Sequence, residues 1–216
     1  DKYISFIPTM GGLHKGHVSL IEKSKNYKYK ILVSIFVNSK QFNKKKDYQK
    51  YPRNIMRDIK ILKELKVQYL YLPTYKDIYN FKCNNKIFID KFSKQLCGKF
   101  RKGHFLGVLD VVNRFLEIIK PKYIYLGLKD FQQLILKDKH ILKNKIKTKV
   151  IRCKTIREPN GIPFSTRNFN LSRNQLNKAS NIFRYLYNLK RQMKKKIKLF
   201  KFNSIKNDLI NLGADK

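Results

Sequence analysis

Short, nearly continuous apolar runs alternate along this chain with longer stretches whose apolar residues recur every three or four positions. Residues 3–7 form such a run, closed by Pro8 and a pair of glycines. Residues 31–37 and 123–127 are two more, and 69–73 a fourth. Between them Ile55, Ile59, Leu62 and Leu65 keep helical spacing, as do Val108, Val111, Val112, Phe115 and Ile119 ahead of Pro121. Phe131, Leu134, Ile135, Ile141 and Leu142 mark another helix. Uniformly apolar strands are those covered on both faces, so strands alternating with helices predict an α/β fold, a doubly wound parallel sheet. Ligands of such sheets bind beyond the carboxyl ends of the strands, where the strand order reverses. From about Arg173 the chain reads as a long basic helix, then a Lys-rich tail with one more short helical stretch.

Composition narrows the classes. The 216 residues carry 50 Lys and Arg against 14 acids, a net charge of +36, which raises the question of an anionic partner. The lysines are scattered over the whole chain among Asn, Ile, Tyr and Phe, as surface drift towards Lys would leave them. Nucleic-acid binding is therefore expected only non-specifically, through charge. Cys83, Cys97 and Cys153 are odd in number and lack zinc or disulfide spacing, which fits a reducing cytoplasm. No apolar run approaches the ~20 residues that span a bilayer, so no membrane partner is expected.

The polar clusters follow strand ends. The first, Pro8-Thr9-Met10-Gly11-Gly12-Leu13-His14-Lys15-Gly16-His17, joins three glycines to two histidines three residues apart at a helix start. Glycines there would let a phosphate reach backbone N–H groups, and the two imidazoles, when protonated, would add positive charge. It is neither a Walker A loop nor a dinucleotide fingerprint. The second cluster, Asn38 to Phe42, offers the amides of Asn38 and Gln41 to hydroxyl and carboxylate groups, although a plain surface loop has the same composition. A third, Arg101 to Phe105, is a basic Gly-His turn opening a helix. The fourth runs from Gly127 through Leu128, Lys129 and Asp130 to Gln133, with Lys129 suited to a phosphate and Asp130 to a metal or ribose hydroxyl. The fifth, Phe164-Ser165-Thr166-Arg167-Asn168, groups two hydroxyls with a guanidinium that suits a leaving pyrophosphate. Asp58 and Asp130 are the metal candidates.

In this order the clusters resemble the motif series of the pantothenate synthetase family, within the HxGH nucleotidyltransferases, from about Ile4 to Ser172. The resemblance rests on PTMGGLHKGH, SIFVN with the following QF, YPR at 51–53, KGHFLGV, LKDFQQL and STRN. It implies ATP contacts at Met10, Gly11, Gly12, Leu13, His14, Lys15, Gly16, His17, Gly127, Leu128, Lys129, Asp130, Ile156, Phe164, Ser165, Thr166 and Arg167. His17 would be the catalytic histidine, helped by His14, Lys129 and Arg167, while Gln41 and Gln133 would hold pantoate and Gln41 would also lie near β-alanine. It further implies magnesium, a homodimer and a cytoplasmic enzyme that adenylates pantoate with ATP and then transfers the acyl group to β-alanine. The division expected is a Rossmann-like nucleotide- and pantoate-binding domain, 1–157, and a shortened C-terminal lid, 158–216, with the family's extreme N-terminal segment missing.

The chain departs from the family pattern at Leu128 and Cys97, which stand where Glu is common, at Ser39-Lys40, which replaces a Pro-containing pair, and at Thr166, which replaces Ser. Two rival readings remain: a sister nucleotidyltransferase with another substrate, opposed by Gln41, Gln133 and the KDFQQ context, and a basic RNA-binding protein that keeps only the fold.

Overall fold

The structure, a computed structural model, describes residues 3–194 and 202–214. The lysine-rich stretch 195–201, read above as part of the basic tail, lies outside the described residues. Five parallel strands, β1 (Ile4–Thr9), β2 (Lys30–Ile35), β3 (Tyr69–Tyr71), β4 (Tyr123–Gly127) and β5 (Lys149–Cys153), form one sheet in the order β3-β2-β1-β4-β5. The helices are α1 (Lys15–Ser24), α2 (Lys45–Gln49), α3 (Ile55–Glu64), α4 (Tyr75–Tyr79), α5 (Cys97–Phe100), α6 (His104–Ile119), α7 (Phe131–Lys143), α8 (Arg173–Lys194) and α9 (Phe202–Asn211). Among the described residues no helix is long and apolar enough to cross a membrane.

The central strands are apolar because each has two covered faces. In β1, Phe6 packs with Val111, Val112 and Phe115 of α6 and Leu134 of α7, while the next residue, Ile7, joins Leu20 and Ile21 of α1 and Leu62 of α3. In β4, Ile124 and Leu126 take the first side and Tyr125 the second. Alternate side chains of one strand thus seed two cores, as period-two geometry requires. Pro8, expected to end the first strand, lies inside β1; it comes after the last β1–β4 pair, Phe6 with Ile124, where a missing N–H breaks no ladder bond on that side. Helix α6 stops at Ile119 with Lys120 left-handed (φ 49°), just ahead of Pro121.

The chain divides into two compact units, Asp1–Thr155 and Ile156–Lys216. The second is built on α8. Gly161 runs so close to Phe183 that a Cβ there would lie 2.0 Å from the ring, and the Arg157 guanidinium sits 4.6 Å from the centroid of the same ring. Ser180 donates to the Asn160 carbonyl at 2.8 Å, and Tyr185 donates to Asp208 of α9 at 2.6 Å.

Candidate active site

β1 and β4 are neighbours, yet the chain leaves them in opposite directions across the sheet: β1 is followed outward by β2 and β3, β4 by β5. Their carboxyl ends are therefore the point where the strand order reverses, and the two turns that leave them face one region.

The turn after β1 is held from below. Thr9 Oγ1 donates to the Ser34 carbonyl at 2.7 Å and accepts the Gly11 N–H at 3.2 Å. Gly11 and Gly12 take φ of 77° and 62°, conformations that cost other residues energy, and a Cβ on Gly11 would press within 3.0 Å of Asp58 and Ile35. Asp58, on α3 and only 1% exposed, receives the N–H of Gly12 on Oδ2 and that of Leu13 on Oδ1, both at 2.8 Å. Two charge-assisted bonds to one buried carboxylate fix the loop's height over the sheet.

His14 then caps α1 with an imidazole. Its Nδ1 accepts the N–H of Gly16 at 3.1 Å, and Nδ1 of His17 accepts the N–H of His14 at 3.3 Å, a reciprocal capping box built from two histidines. A ring nitrogen that accepts carries no proton, so both neutral imidazoles bear theirs on Nε2. The rings stack with centroids 4.0 Å apart. Burial, reinforced by the charge of Lys129, lowers the His14 pKa to about 4; burial, then His14 and Lys129, lowers that of His17 to about 3. Both are neutral near pH 7 and present Nε2–H donors.

This revises the chemistry read from the glycine turn. The N–H groups of Gly11, Gly12, Leu13, His14 and Gly16 already have acceptors inside the protein. The first two glycines supply backbone conformation. The donors this region leaves on offer are the two imidazole Nε2–H groups, and the positive charge beside them is that of Lys129.

The turn after β4 is looser. Leu128–Asp130 form a single 3₁₀ turn into α7, Lys129 and Asp130 are exposed, and Asp130 stands at the N-cap without a side-chain capping bond. A Cβ on Gly127 would meet nothing within 4 Å. The charge of Lys129 acts on His14 and His17, and that of Asp130 acts on His14 and His104.

Beside this region Gln41 is held by three contacts. Its Nε2 lies 3.0 Å from Met10 Sδ, its Oε1 accepts from Asn38 at 3.3 Å, and its carbonyl receives the His104 ring at 2.7 Å. Since a carbonyl only accepts, His104 carries its proton on Nδ1. Gln133, half-buried on α7, makes no side-chain hydrogen bond with the described residues.

Three comparisons with known proteins bear on this arrangement. The family model described as pantoate-beta-alanine ligase matches residues 1–214. The chain belongs to the pantoate–β-alanine ligase family. The pantothenate synthetase of Francisella tularensis subsp. novicida is 45% identical over 186 residues, 85% of this chain and 70% of that protein. A crystal structure of pantoate-beta-alanine ligase from Francisella tularensis, complexed with beta-gamma ATP and beta-alanine, superposes with a TM-score of 0.87 at 40% identity, covering 98% of this chain and 78% of that one. Pantothenate synthetase from Thermus thermophilus gives 0.85 at 32% identity, covering 90% and 71%. The five-stranded parallel sheet is the fold of these ligases.

Within this pantoate–β-alanine ligase family member, several expected site residues take other work. Asn38 is 1% exposed and its amide is full: Oδ1 accepts from Lys40 N–H and Tyr79 O–H, and Nδ2 donates to Gln41 and the Gly107 carbonyl. These bonds fix Asn38 and, through it, the Gln41 side chain. Asp58, read above as a metal candidate, accepts a loop N–H on each of its two oxygens. Among the described residues no group of three His, Cys, Asp or Glu forms a metal cage. The expected anion site at the start of α6 is likewise absent in that form: His104 is 6% exposed and braces Gln41.

Three residues were not singled out from the sequence for the roles they hold. Asp58 as loop clamp pairs with N–H groups more than forty positions away and leaves no local signature. Gln132, 6% exposed, ties down the 92–97 segment by donating to the carbonyls of Phe92 and Gln95 and accepting the Cys97 N–H. Lys137 is buried, and its signal was legible: a lysine between Leu134 and Ile141 on the inward stripe of α7.

The remaining candidates belong to the second unit. Phe164 N–H donates to the Ile156 carbonyl at 3.1 Å, so these two are brought together. The Ser165 hydroxyl caps the 3₁₀ turn Thr166–Asn170 by accepting the Arg167 N–H, Thr166 is buried, and Arg167 is exposed.

Proposed function

We propose that this chain condenses pantoate with β-alanine at the expense of ATP, through a pantoyl adenylate, and that the paired Nε2–H donors of His14 and His17 carry the first step. The observation behind this reading is the reciprocal His14–His17 capping box at the reversal of the sheet, which presents two neutral, preoriented donors beside Lys129. A pantoate carboxylate oxygen attacks the α-phosphorus, the O–P bond to pyrophosphate breaks, and negative charge grows on the phosphoryl oxygens. Donors already fixed before the reaction stabilise that charge without reorganising. Gln41, immobilised by Asn38, Met10 and His104, and Gln133, with an uncommitted amide, are placed to orient pantoate. In the second step the β-alanine amine forms the C–N bond, the acyl C–O bond to AMP breaks, and the amine proton leaves to solvent.

Magnesium fits this site as an ion carried in by the triphosphate. Mg²⁺ keeps most of its waters and needs one or two carboxylates beside phosphate oxygens, and Asp130 is the exposed carboxylate next to Lys129. Ile156, Phe164, Ser165, Thr166 and Arg167 join the proposal as ATP contacts through the STRN motif and its surroundings. A homodimer and a cytoplasmic location join the proposal on the family resemblance alone.

The test is direct. Purified protein with ATP, magnesium, pantoate and β-alanine is expected to yield AMP and pantothenate in equal amounts. AMP formation independent of pantoate, or no product alongside salt-sensitive RNA capture, would overturn the reading.

A further inference from the structure

Lys137 is used by none of the chemistry above, yet it is costly to keep where it lies. It is 7% exposed on α7 and makes no hydrogen bond and no ion pair within 4.0 Å with the described residues. An ammonium on a side chain this enclosed, without a counter-ion, is unfavourable unless a partner arrives, and its Nζ keeps some accessible surface, because Ser34 Oγ is the one wholly enclosed side-chain atom left unpaired among the described residues. The position of Lys137 says where that partner comes from. Gln133 and Lys137 fall on one stripe of α7, four residues apart, with Asp130 at the N-cap three residues before Gln133, and helical side chains lean back towards the N-terminus. That lean favours the Gln133 end of the helix, where Asp130 opens the turn into α7. Two titratable groups are electrostatically coupled to it: Asp130, exposed at the helix start, and His104, on α6. His104 is neutral and turned to Gln41, so it supplies no counter-charge.

We propose that Lys137 is the counter-cation for the carboxylate of a small acid substrate bound beside Gln133, and so a further binding residue of the ligase. The inference rests on the reading of the chain as a pantoate–β-alanine ligase, because both acids of that reaction bring a carboxylate into a site whose other groups on this side, Gln41, Gln133 and Asn38, are neutral amides. A lysine ammonium is matched to a single carboxylate as a point charge. Burial lowers the Lys137 pKa to about 8, opposed by Asp130. A bound carboxylate restores the charged form, and affinity for that acid falls as pH rises through about 8.

The experiment compares wild type with K137M, which keeps the length of the side chain and removes its charge, and with K137Q, which keeps a polar head. Pantoate, β-alanine and ATP are titrated separately by calorimetry between about pH 7 and 9, with turnover measured in parallel. The expected result is that K137M and K137Q each weaken one acid about tenfold or more, leave the other acid and ATP within about twofold, and flatten the pH dependence of the affected acid. Pantoate as the affected acid would place its carboxylate at Lys137; β-alanine would place the spectator carboxylate of the amine substrate there. Unchanged affinity for both acids, or an equal loss for both acids and ATP, overturns the assignment. If wild type neither turns over nor binds either acid, the reading of the activity itself fails; if wild type turns over and K137M matches it, only the Lys137 assignment fails.

Discussion

The two turns that leave the centre of the sheet are built on opposite principles. The turn after β1 is over-determined: Thr9, Asp58, His14 and His17 consume its N–H groups, and two glycines adopt conformations that other residues resist. The turn after β4 is open, with exposed Lys129 and Asp130, an uncapped helix start and empty space above Gly127. Catalytic donors gain from being fixed before the charge develops, whereas groups that meet an incoming triphosphate and its ion must let it enter. Rigidity on one side and access on the other suit an adenylation in which only the nucleotide and the acid are exchanged.

The largest effect is expected from removing the rigid side's donor. H17A should lower adenylate formation by ~10²–10⁴-fold, the range that a placed proton donor commonly supplies, while thermal unfolding shows a folded protein. Wild-type-like turnover by that variant would move catalysis off the rigid turn altogether.

Next comes the clamp. D58A strands two buried N–H groups, at about 1–3 kcal/mol each for a buried donor left unpaired, so a loss of about 3 kcal/mol is expected in denaturant titration. D130A, on the open turn, should change stability by less than about 0.5 kcal/mol. Equal losses for the two would erase the contrast.

The contrast also explains what the sequence made legible. Strands β1 to β4 declared themselves because each lies in an almost unbroken run of apolar and aromatic residues. Strand β5, at the sheet edge, mixes Lys149 and Arg152 with Val150, Ile151 and Cys153, and so did not stand out as an apolar run. The glycine and histidine spacing after β1 marked the place, but not the mechanism: N–H groups promised to a phosphate turn out to be bonded to Asp58 and to the histidines themselves. Such long-range acceptors are invisible to local pattern. Asn38 shows the same limit, since an amide at a strand end looks identical whether its bonding positions are free or filled by Lys40, Tyr79, Gly107 and Gln41.

Acid should weaken the rigid side selectively. The folded pKa values of His14 and His17 lie below the ordinary 6.5, at about 4 and about 3, so between those limits the unfolded chain binds protons that the fold refuses. Stability therefore falls as pH drops below 6.5 and continues to fall towards the folded values, by about 2 to 3 kcal/mol near pH 4.5 for His17 alone. Urea titrations of wild type and H17Q across about pH 4.5–7 check this. The variant's curve should be flatter, and parallel curves would mean that His17 is not held neutral by its burial.

A pair of glycines separates the two turns, and of the two G127A should change stability least. G11A places a Cβ at φ 77° and within 3.0 Å of Asp58 and Ile35, where the left-handed conformation alone costs about 1–2 kcal/mol. Gly127 has φ −77°, which any residue adopts, and a Cβ there meets nothing within 4 Å. G127A should therefore fold with stability within about 0.5 kcal/mol of wild type. Its ATP affinity then reports what the glycine is for: a marked loss, with stability intact, means that the nucleotide itself fills the space that a methyl group would enter. Unchanged affinity would remove Gly127 from the nucleotide contacts and leave Lys129 and Asp130 to meet the triphosphate on the open turn.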